Sequence, residues 1–197
     1  MSQQQRERWD ARYANGDYKA RTEPTDLLTR WAPKWPRGHA LDVATGTGRN
    51  ALYLAQLGFE VTAFDLSKVA LEKGRAIAAT RELSVNWINI DTDVQCVPGG
   101  HFDLIVVARF HDRRIVPQIL DRLVPGGWLV YEHHLLTTRT DVGGPPQNAF
   151  RLRTQELLQR FRELHVKHYF EGPITDPDGR KMMIAELVAQ KAGVQAD

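Results

Sequence analysis

The sequence predicts a single α/β domain built on a mostly parallel sheet, and three observations carry that expectation. Short apolar runs bounded by turn residues alternate with helix-period segments along the chain. The first of these runs, Ala40-Leu41-Asp42-Val43, passes through the glycine turn Thr45-Gly46-Thr47-Gly48 straight into the amphipathic stretch Asn50-Ala51-Leu52-Tyr53-Leu54. The length of 197 residues allows one substantial core and leaves little for a second domain.

The amino-terminal part is read as a helical segment over residues 1–38. Residues 1–5 are polar and expected to be loose, and residues 6–13 suit a short helix with Trp9 and Tyr13 four apart on one face. That aromatic pair either clamps the segment onto the domain or covers a bound ligand. Pro24 suits the first turn of a helix running to Trp31, which Pro33, Pro36 and Gly38 then end.

The glycine turn opens a helix over residues 50–56 that Gly58 stops. Val61-Thr62-Ala63-Phe64-Asp65 is the second strand, and Ser67 caps a helix over residues 68–81, fixing Asp65 at the strand end. Residues 85–90 make the third strand, followed by Asp91-Thr92-Asp93. The run 102–108 is apolar almost throughout, as expected of a central strand covered on both faces. Beyond it come a helix over 115–123, the turn Pro125-Gly126-Gly127 and a strand over 128–132 leading to His133 and His134. Adjacent strand residues face opposite ways, so one of the two histidines at most is expected in a given pocket. Residues 137–149, with Gly143-Gly144-Pro145-Pro146, form a long loop and a candidate substrate gate. Thr154 is expected to cap a helix over 155–161 with Leu157 and Leu158 on the core side. Residues 164–170 and 181–190 read as a closing strand pair, and the tail from 192 as mobile.

Composition narrows the classes of partner. The net charge of +2 comes from 26 basic and 24 acidic residues interleaved along the chain, so no phosphate-tracking stripe supports nucleic acid binding. No run approaches a membrane span, and residues 1–10 carry no apolar core of a signal peptide. The lone Cys96 fits a reducing compartment and offers no nucleophile with a visible base. A cytoplasmic monomer or homodimer acting on a small molecule is the expectation.

The turn Gly46-Thr47-Gly48-Arg49-Asn50-Ala51 satisfies a loose dinucleotide fingerprint, with its first helix amides aimed at a ligand. Two acids argue for a different ligand. Asp42, just before the turn, would repel a pyrophosphate and suits an ammonium or sulfonium cation. Asp65, ending the second strand, is placed to accept both hydroxyls of a ribose. An adenosine carrying a cationic amino-acid tail is S-adenosylmethionine.

These residues resemble the class I S-adenosylmethionine-dependent methyltransferases, whose first motif is an acid followed by alternating glycines; Ala44 stands where that motif has its first glycine. Within that family the sequence is most similar to the bacterial tellurite-resistance and thiol methyltransferase type. Gly48-Arg49-Asn50-Ala51-Leu52-Tyr53-Leu54-Ala55, Glu156-Leu157-Leu158 and Asp176-Pro177-Asp178-Gly179-Arg180-Lys181 carry the likeness. It departs from that type at Gly172-Pro173-Ile174-Thr175, where that type has a His-Arg pair.

The resemblance implies a Rossmann-like, seven-stranded sheet with helices on both faces and a carboxyl-terminal antiparallel strand. The cofactor domain would span 39–191, beneath the 1–38 lid and before the 192–197 tail. S-Adenosylmethionine would be held by Asp42, Ala44, Gly46, Gly48, Arg49, Asp65, Leu66, Asp91, Thr92, Ala108 and Arg109, with Arg49 on its carboxylate and Asp91 at the adenine amino group. Trp9, Tyr13, Phe110 and Arg151 would border a small-molecule acceptor, a thiol or chalcogen oxyanion being the implied kind. Arg109 would hold an anionic acceptor, and His111 or His133 would serve as base where one is needed. No metal site is expected, since Glu132, His133 and Asp91 show no ligand spacing. The competing readings are a nicotinamide-dependent oxidoreductase and a cofactor-binding protein without catalysis.

Overall fold

The computed structural model describes residues 3–16, 20–176 and 178–193. The expectations for residues 1–2, for Pro177 and for most of the tail lie outside the described residues. The elements run α1 (Gln3–Ala14), α2 (Asp26–Trp31), β1 (His39–Val43), α3 (Arg49–Gln56), β2 (Glu60–Asp65), α4 (Lys68–Thr80), β3 (Val85–Asn89), β4 (Phe102–Ala108), α5 (Val116–Arg122), β5 (Leu123–His134), α6 (Glu156–Arg160), β6 (His165–Thr175) and β7 (Lys181–Gln190). They form one seven-stranded sheet in the order β3-β2-β1-β4-β5-β7-β6. The first five strands are parallel, and β7 runs antiparallel to both its neighbours. This is the predicted α/β architecture.

β1 and β4 lie at the centre because they are apolar on both faces. Leu41 and Val43 pack with Ile105 and Val107 on one side of the sheet, while Ala40 packs with Leu104 and Val106 on the other. The strand order runs outward from β1 to β2 and β3 on one flank and from β4 to β5 on the other, which places the carboxyl ends of β1 and β4 beside a crevice, the topological position where open α/β sheets bind ligands.

Several local expectations are corrected. The helix after the loop starts at Glu156, and its cap position is taken by Gln155 at φ 59° with no side-chain capping bond, so Thr154 does not cap it. β5 begins at Leu123 and absorbs the Pro125-Gly126-Gly127 turn, because Leu123 pairs with Phe102 across an irregularity in the β4 register. α5 is correspondingly short and follows a 3-10 turn at Arg113–Ile115. α1 reaches from Gln3, and Pro24 precedes the cap residue Thr25 rather than entering the helix. By contrast, Ser67 caps α4 as expected, its hydroxyl accepting from the Ala70 amide at 3.1 Å. Of the amino-terminal segment, Leu27, Leu28, Ala32 and Trp35 belong to the same buried cluster as Ala40 and Val61.

Candidate cofactor and acceptor site

The glycine turn is held from behind. Asp42 is 1% exposed, and its Oδ2 accepts both the Thr45 hydroxyl at 2.5 Å and the Ala51 amide at 3.1 Å. Ala51 is the third residue of α3, whose cap Gly48 has no side chain, so a strand carboxylate satisfies an orphan amide of the helix start and sits at its positive end. Asp42 is not among the residues lining the adjacent pocket. This corrects its expected place against a ligand cation: the low-dielectric interior behind the turn has a better use for it.

Burial raises the Asp42 carboxyl to about 7. Because the folded state then holds a proton that the unfolded chain has lost, stability should fall as the pH rises between about 4 and about 7. Asp42→Asn keeps one carbonyl oxygen for both donors and carries no charge. Its stability, measured by thermal unfolding from pH 5 to 8, should gain on the parent as pH rises; parallel curves would overturn this.

Gly48 also has a different reason from the expected one. Its φ is +85°, and a Cβ there would meet the Trp87 ring at 2.3 Å. The same ring fills the space beside Gly74. Gly48 therefore admits Trp87 between α3, α4 and β3, and it does not line the pocket. Ala44 does line it, at φ +52°, a left-handed conformation that costs an alanine about 1–2 kcal/mol. Set against the greater freedom of glycine in the unfolded chain, Ala44→Gly should stabilise the protein by about 0.5–1 kcal/mol in a urea titration.

On the ligand side, Ala44, Thr45, Gly46, Thr47, Arg49, Phe64, Asp65, Leu66, Asp91, Thr92, Ala108, Arg109 and Phe110 line one pocket with Trp9, Tyr13, Ala20 and Arg21. The sheet ends bring together nearly all of the expected cofactor residues, with Asp42 and Gly48 set behind them. Asp65 accepts the Gly46 amide at 2.8 Å on Oδ2 and the Ser67 amide at 2.9 Å on Oδ1, leaving acceptor capacity on both oxygens. A Cβ on Gly46 would stand 2.9 Å from the Tyr13 hydroxyl, so the turn is cut to let α1 close on it. α1 is tied down by Asp10 on Ser67 Oγ and by the Tyr13 carbonyl on Lys73 Nζ.

These bonds discriminate between ligands. The Gly46 amide is spent on Asp65, the Gly48 amide on Thr45 and the Ala51 amide on Asp42, so the turn offers a pyrophosphate few donors and a carboxylate instead. A phosphate-free adenosyl ligand with hydroxyls to donate fits Asp65. Arg49, whose guanidinium reaches the Glu23 carbonyl at 3.1 Å, and buried Asp91, on which Arg6 lies at 3.8 Å, both line the pocket that would take the rest of such a ligand.

A second, larger cavity adjoins the first and shares Trp9, Arg21, Arg109 and Phe110 with it. Arg109 stands at the junction with φ +62°, a strained backbone of the kind found at functional sites. Its Nη2 meets Glu132 at 2.9 Å and Asp176 at 2.8 Å, and Asp176 also binds Arg21 at 2.6 Å. The loop between β6 and β7 is thereby locked onto the ends of β4 and β5. Sequence reasoning missed Arg21 and Asp176 as partners in this lock, since residues so far apart carry no local signal of it.

His111, His133 and His134 all stand in the wall of the second cavity. The expected restriction to one of the adjacent pair fails because the cavity wraps round the end of β5, beyond the last residue of β4. His111 and His133 stack with ring centroids 5.4 Å apart. Burial depresses both imidazoles, His111 to about 4 and His133 to about 3, so they are neutral at ordinary pH. Residues 143–147 of the long loop form part of the same wall. Arg151 does not: its guanidinium is donated to the Pro145 and Leu135 carbonyls, bracing that loop from behind. Cys96 is exposed and lines neither cavity. Among the described residues no group of three or more His, Cys, Asp or Glu is arranged to hold a metal ion, and no helix is long and apolar enough to cross a membrane.

A doubly wound sheet with an acid-gripped glycine turn at β1 and an open carboxylate at β2 defines a Rossmann-like protein for an adenosyl ligand. Residues 40–127 match the methyltransferase domain family. The chain is 32% identical over 151 residues to the demethylmenaquinone methyltransferase of Thermus thermophilus, covering 73% of this chain and 63% of that protein. It is 28% identical over 168 residues to the probable S-adenosyl-L-methionine-dependent methyltransferase TehB of Haemophilus influenzae, covering 77% and 56%. The crystal structure of TehB from Haemophilus influenzae superposes with a TM-score of 0.73 at 23% identity, over 91% of this chain and 66% of that one. Residues 40–127 carry a methyltransferase domain, and the chain has the class I fold of the S-adenosylmethionine-dependent methyltransferases. Family and fold imply S-adenosylmethionine as the cofactor. The chain spans 63% and 56% of the length of the two curated relatives.

Proposed function

We propose that this protein transfers the methyl group of S-adenosylmethionine to a small-molecule acceptor held in the second cavity. The observation that carries this reading is the junction of the two cavities at Trp9, Arg21, Arg109 and Phe110, on the carboxyl ends of β4 and its neighbours. A ligand in each places donor and acceptor against one another at this junction, beside Phe110. Bound cofactor supplies the electrophilic methyl group; this chain supplies alignment, which can contribute on the order of 7 to 11 kcal/mol.

In this reading Asp65 holds the ribose hydroxyls, Asp91 and Thr92 face the adenine, Arg49 takes the cofactor carboxylate, and Ala44, Gly46, Leu66 and Ala108 shape the pocket. Trp9 borders both cavities and Tyr13 the first, and Phe110 lines the wall common to the two. Domain 39–191 with an amino-terminal cover is the corresponding organisation, acting on a small molecule in the cytoplasm as a monomer or homodimer. A thiol or chalcogen oxyanion as acceptor is what the sequence resemblance to the tellurite-resistance type implies.

The test is a calorimetric titration with S-adenosylmethionine, S-adenosylhomocysteine and NAD, followed by assay of S-adenosylhomocysteine release with thiols, oxyanions, hydroxyls and amines. Binding of the adenosyl compounds but not NAD, with release on addition of an acceptor, is the expected result. NAD binding would favour an oxidoreductase, and binding without release for the whole panel a protein without catalysis.

A further inference from the structure

The second cavity holds about 1050 Å³, at the top of the range for sites of drug-sized ligands and far beyond an oxyanion or a simple thiol. Its charge is one-sided. Arg8, Arg12, Arg21, Arg109, Arg180 and Lys181 line it against a single acid, Asp141, in a chain whose 26 basic and 24 acidic residues nearly balance. Ion pairs within the protein account for part of that excess: Asp176 and Glu132 hold Arg109, Asp176 also holds Arg21 at 2.6 Å, and Asp178 holds Arg180. Asp141 is clasped by Arg139 at 2.6 Å and lies within reach of the Lys181 charge. Arg8 and Lys181 are exposed, and neither forms an ion pair among the described residues. The positive field extends inward, where burial and then the charges of Arg109, Arg21 and Arg151 push down the His134 imidazole in the same wall.

On α1 this charge follows the helix period. Gln5, Arg8, Trp9 and Arg12 recur at the three- and four-residue spacing of one helix face, and all four line the cavity. Tyr13 is the one buried residue of α1, so that face is not spent on the core. The Arg12 guanidinium lies over the Trp9 ring, 4.7 Å from its centroid, which sets a cation beside a flat apolar surface. Phe110, Phe150 and Met182 also line the cavity, and Phe150 is 48% exposed, a large aromatic left in an open wall. Trp9 and Phe110 are shared with the cofactor pocket, whereas Arg8, Arg12 and Lys181 line the second cavity alone. The accessible charge and the junction with the cofactor therefore occupy different parts of the wall.

We propose that the methyl acceptor is an amphiphilic anion, an apolar body of about two fused rings or more carrying a carboxylate, sulfonate or phosphate, an inference that rests on the methyl-transfer function above. The anionic group faces Arg8, Arg12 and Lys181, the apolar body lies along Trp9, Phe110 and Phe150, and the reacting atom, separate from the anionic group, stands at the junction. A lone pair of that atom forms the bond to the methyl carbon as the carbon–sulfur bond breaks with its electron pair on sulfur, and a proton on the reacting atom, where there is one, leaves to solvent. A cleft lined by one sign of charge between low-dielectric walls concentrates such a ligand, and because the cations are exposed the attraction weakens with salt. A small oxyanion, being charge and nucleophile at once, does not span the two parts of the wall.

The probes are 2-naphthoate, 2-naphthalenesulfonate and 2-naphthyl phosphate, compared with the neutral 2-naphthalenemethanol, the cationic 2-naphthylmethylamine, acetate and tellurite. Each is titrated calorimetrically, at low and at high sodium chloride, into the full chain loaded with S-adenosylhomocysteine. At least one naphthalene anion should bind tenfold or more tighter than every comparison compound, with a gap that narrows at high salt. In the double variant Arg8→Gln, Lys181→Gln that advantage over 2-naphthalenemethanol should shrink fivefold or more, while the affinities for S-adenosylhomocysteine and the neutral naphthalene stay within twofold of the parent. Arg8→Lys should keep the advantage. In turnover, kcat/KM for 6-mercapto-2-naphthoate should exceed that for 2-naphthalenethiol, whose one ionisable group is the nucleophile itself, by tenfold or more. Equal binding of anionic and neutral naphthalenes, an advantage that survives intact in the double variant, or turnover of tellurite faster than of 6-mercapto-2-naphthoate overturns the inference and leaves methyl transfer standing. Failure of S-adenosylhomocysteine to bind overturns methyl transfer itself, and the inference with it.

Discussion

Asp65→Ala should weaken S-adenosylmethionine binding by at least 100-fold. Burial raises the Asp65 carboxyl, the Ser67 and Gly46 amides oppose that rise, and two ribose hydroxyls donating to it oppose it further; at about 1.5–3 kcal/mol for each hydrogen bond to a charged group they make about 3–6 kcal/mol, or roughly two to four decades in affinity. The carboxylate is already oriented by the Gly46 and Ser67 amides, one on each oxygen, so little ordering is needed when the ligand arrives. Calorimetry with S-adenosylhomocysteine checks the expectation, with thermal unfolding to confirm the fold and Asp65→Asn as the variant that keeps an oxygen for an amide. Unchanged affinity in the alanine variant would remove the ribose role.

Arg109→Met is expected to have the largest effect on stability, a loss of about 3–5 kcal/mol. Glu132 and Asp176 are 2% and 5% exposed, both nearly sealed from water, and removing the guanidinium leaves two buried carboxylates without it. Burial already raises the Glu132 carboxyl, with Arg109 opposing that rise. The charge lost is therefore the largest one opposing that rise. Urea unfolding measures the loss, and the double variant Arg109→Met, Asp176→Asn should recover part of it, since the two side chains touch at 2.8 Å. A loss below about 1 kcal/mol would show that the lock between the β6–β7 loop and the strand ends carries little.

How much of this was legible beforehand depended on distance along the chain. The strand, glycine turn and helix at 40–54 are contiguous, so their chemistry is written in one stretch, and Asp65 follows on the next strand in parallel register. Ser67 capping is equally local. Thr154 looked like the same kind of cap, but Gln155 adopts the left-handed conformation and the helix starts one residue later, a choice made by how the segment meets the sheet. His133 and His134 were judged by strand alternation, a rule that holds inside a sheet and lapses where a strand outruns its neighbour and a cavity surrounds its tip.

The glycine pattern was correctly read as a turn, yet its reasons are divided between two causes. Gly46 makes room for Tyr13 from α1, and Gly48 for Trp87 from β3. Neither partner is visible from the motif. Arg151 looked free to hold an anion because its backbone acceptors, Leu135 and Pro145, are brought to it only when the long loop folds back on β5.

The amino-acid sequence alone determined the α/β class, the order of its elements and the adenosyl character of the ligand, because alternating apolar periods, a glycine turn and strand-end acids act over a few neighbouring residues. Tertiary structure alone decided that Asp42 serves the helix start, that Arg109 joins Asp176 to Glu132, and that three histidines share one cavity wall. Those outcomes rest on burial and on charges meeting across the fold, and the desolvation that sets them exists only once distant segments have closed the space between them.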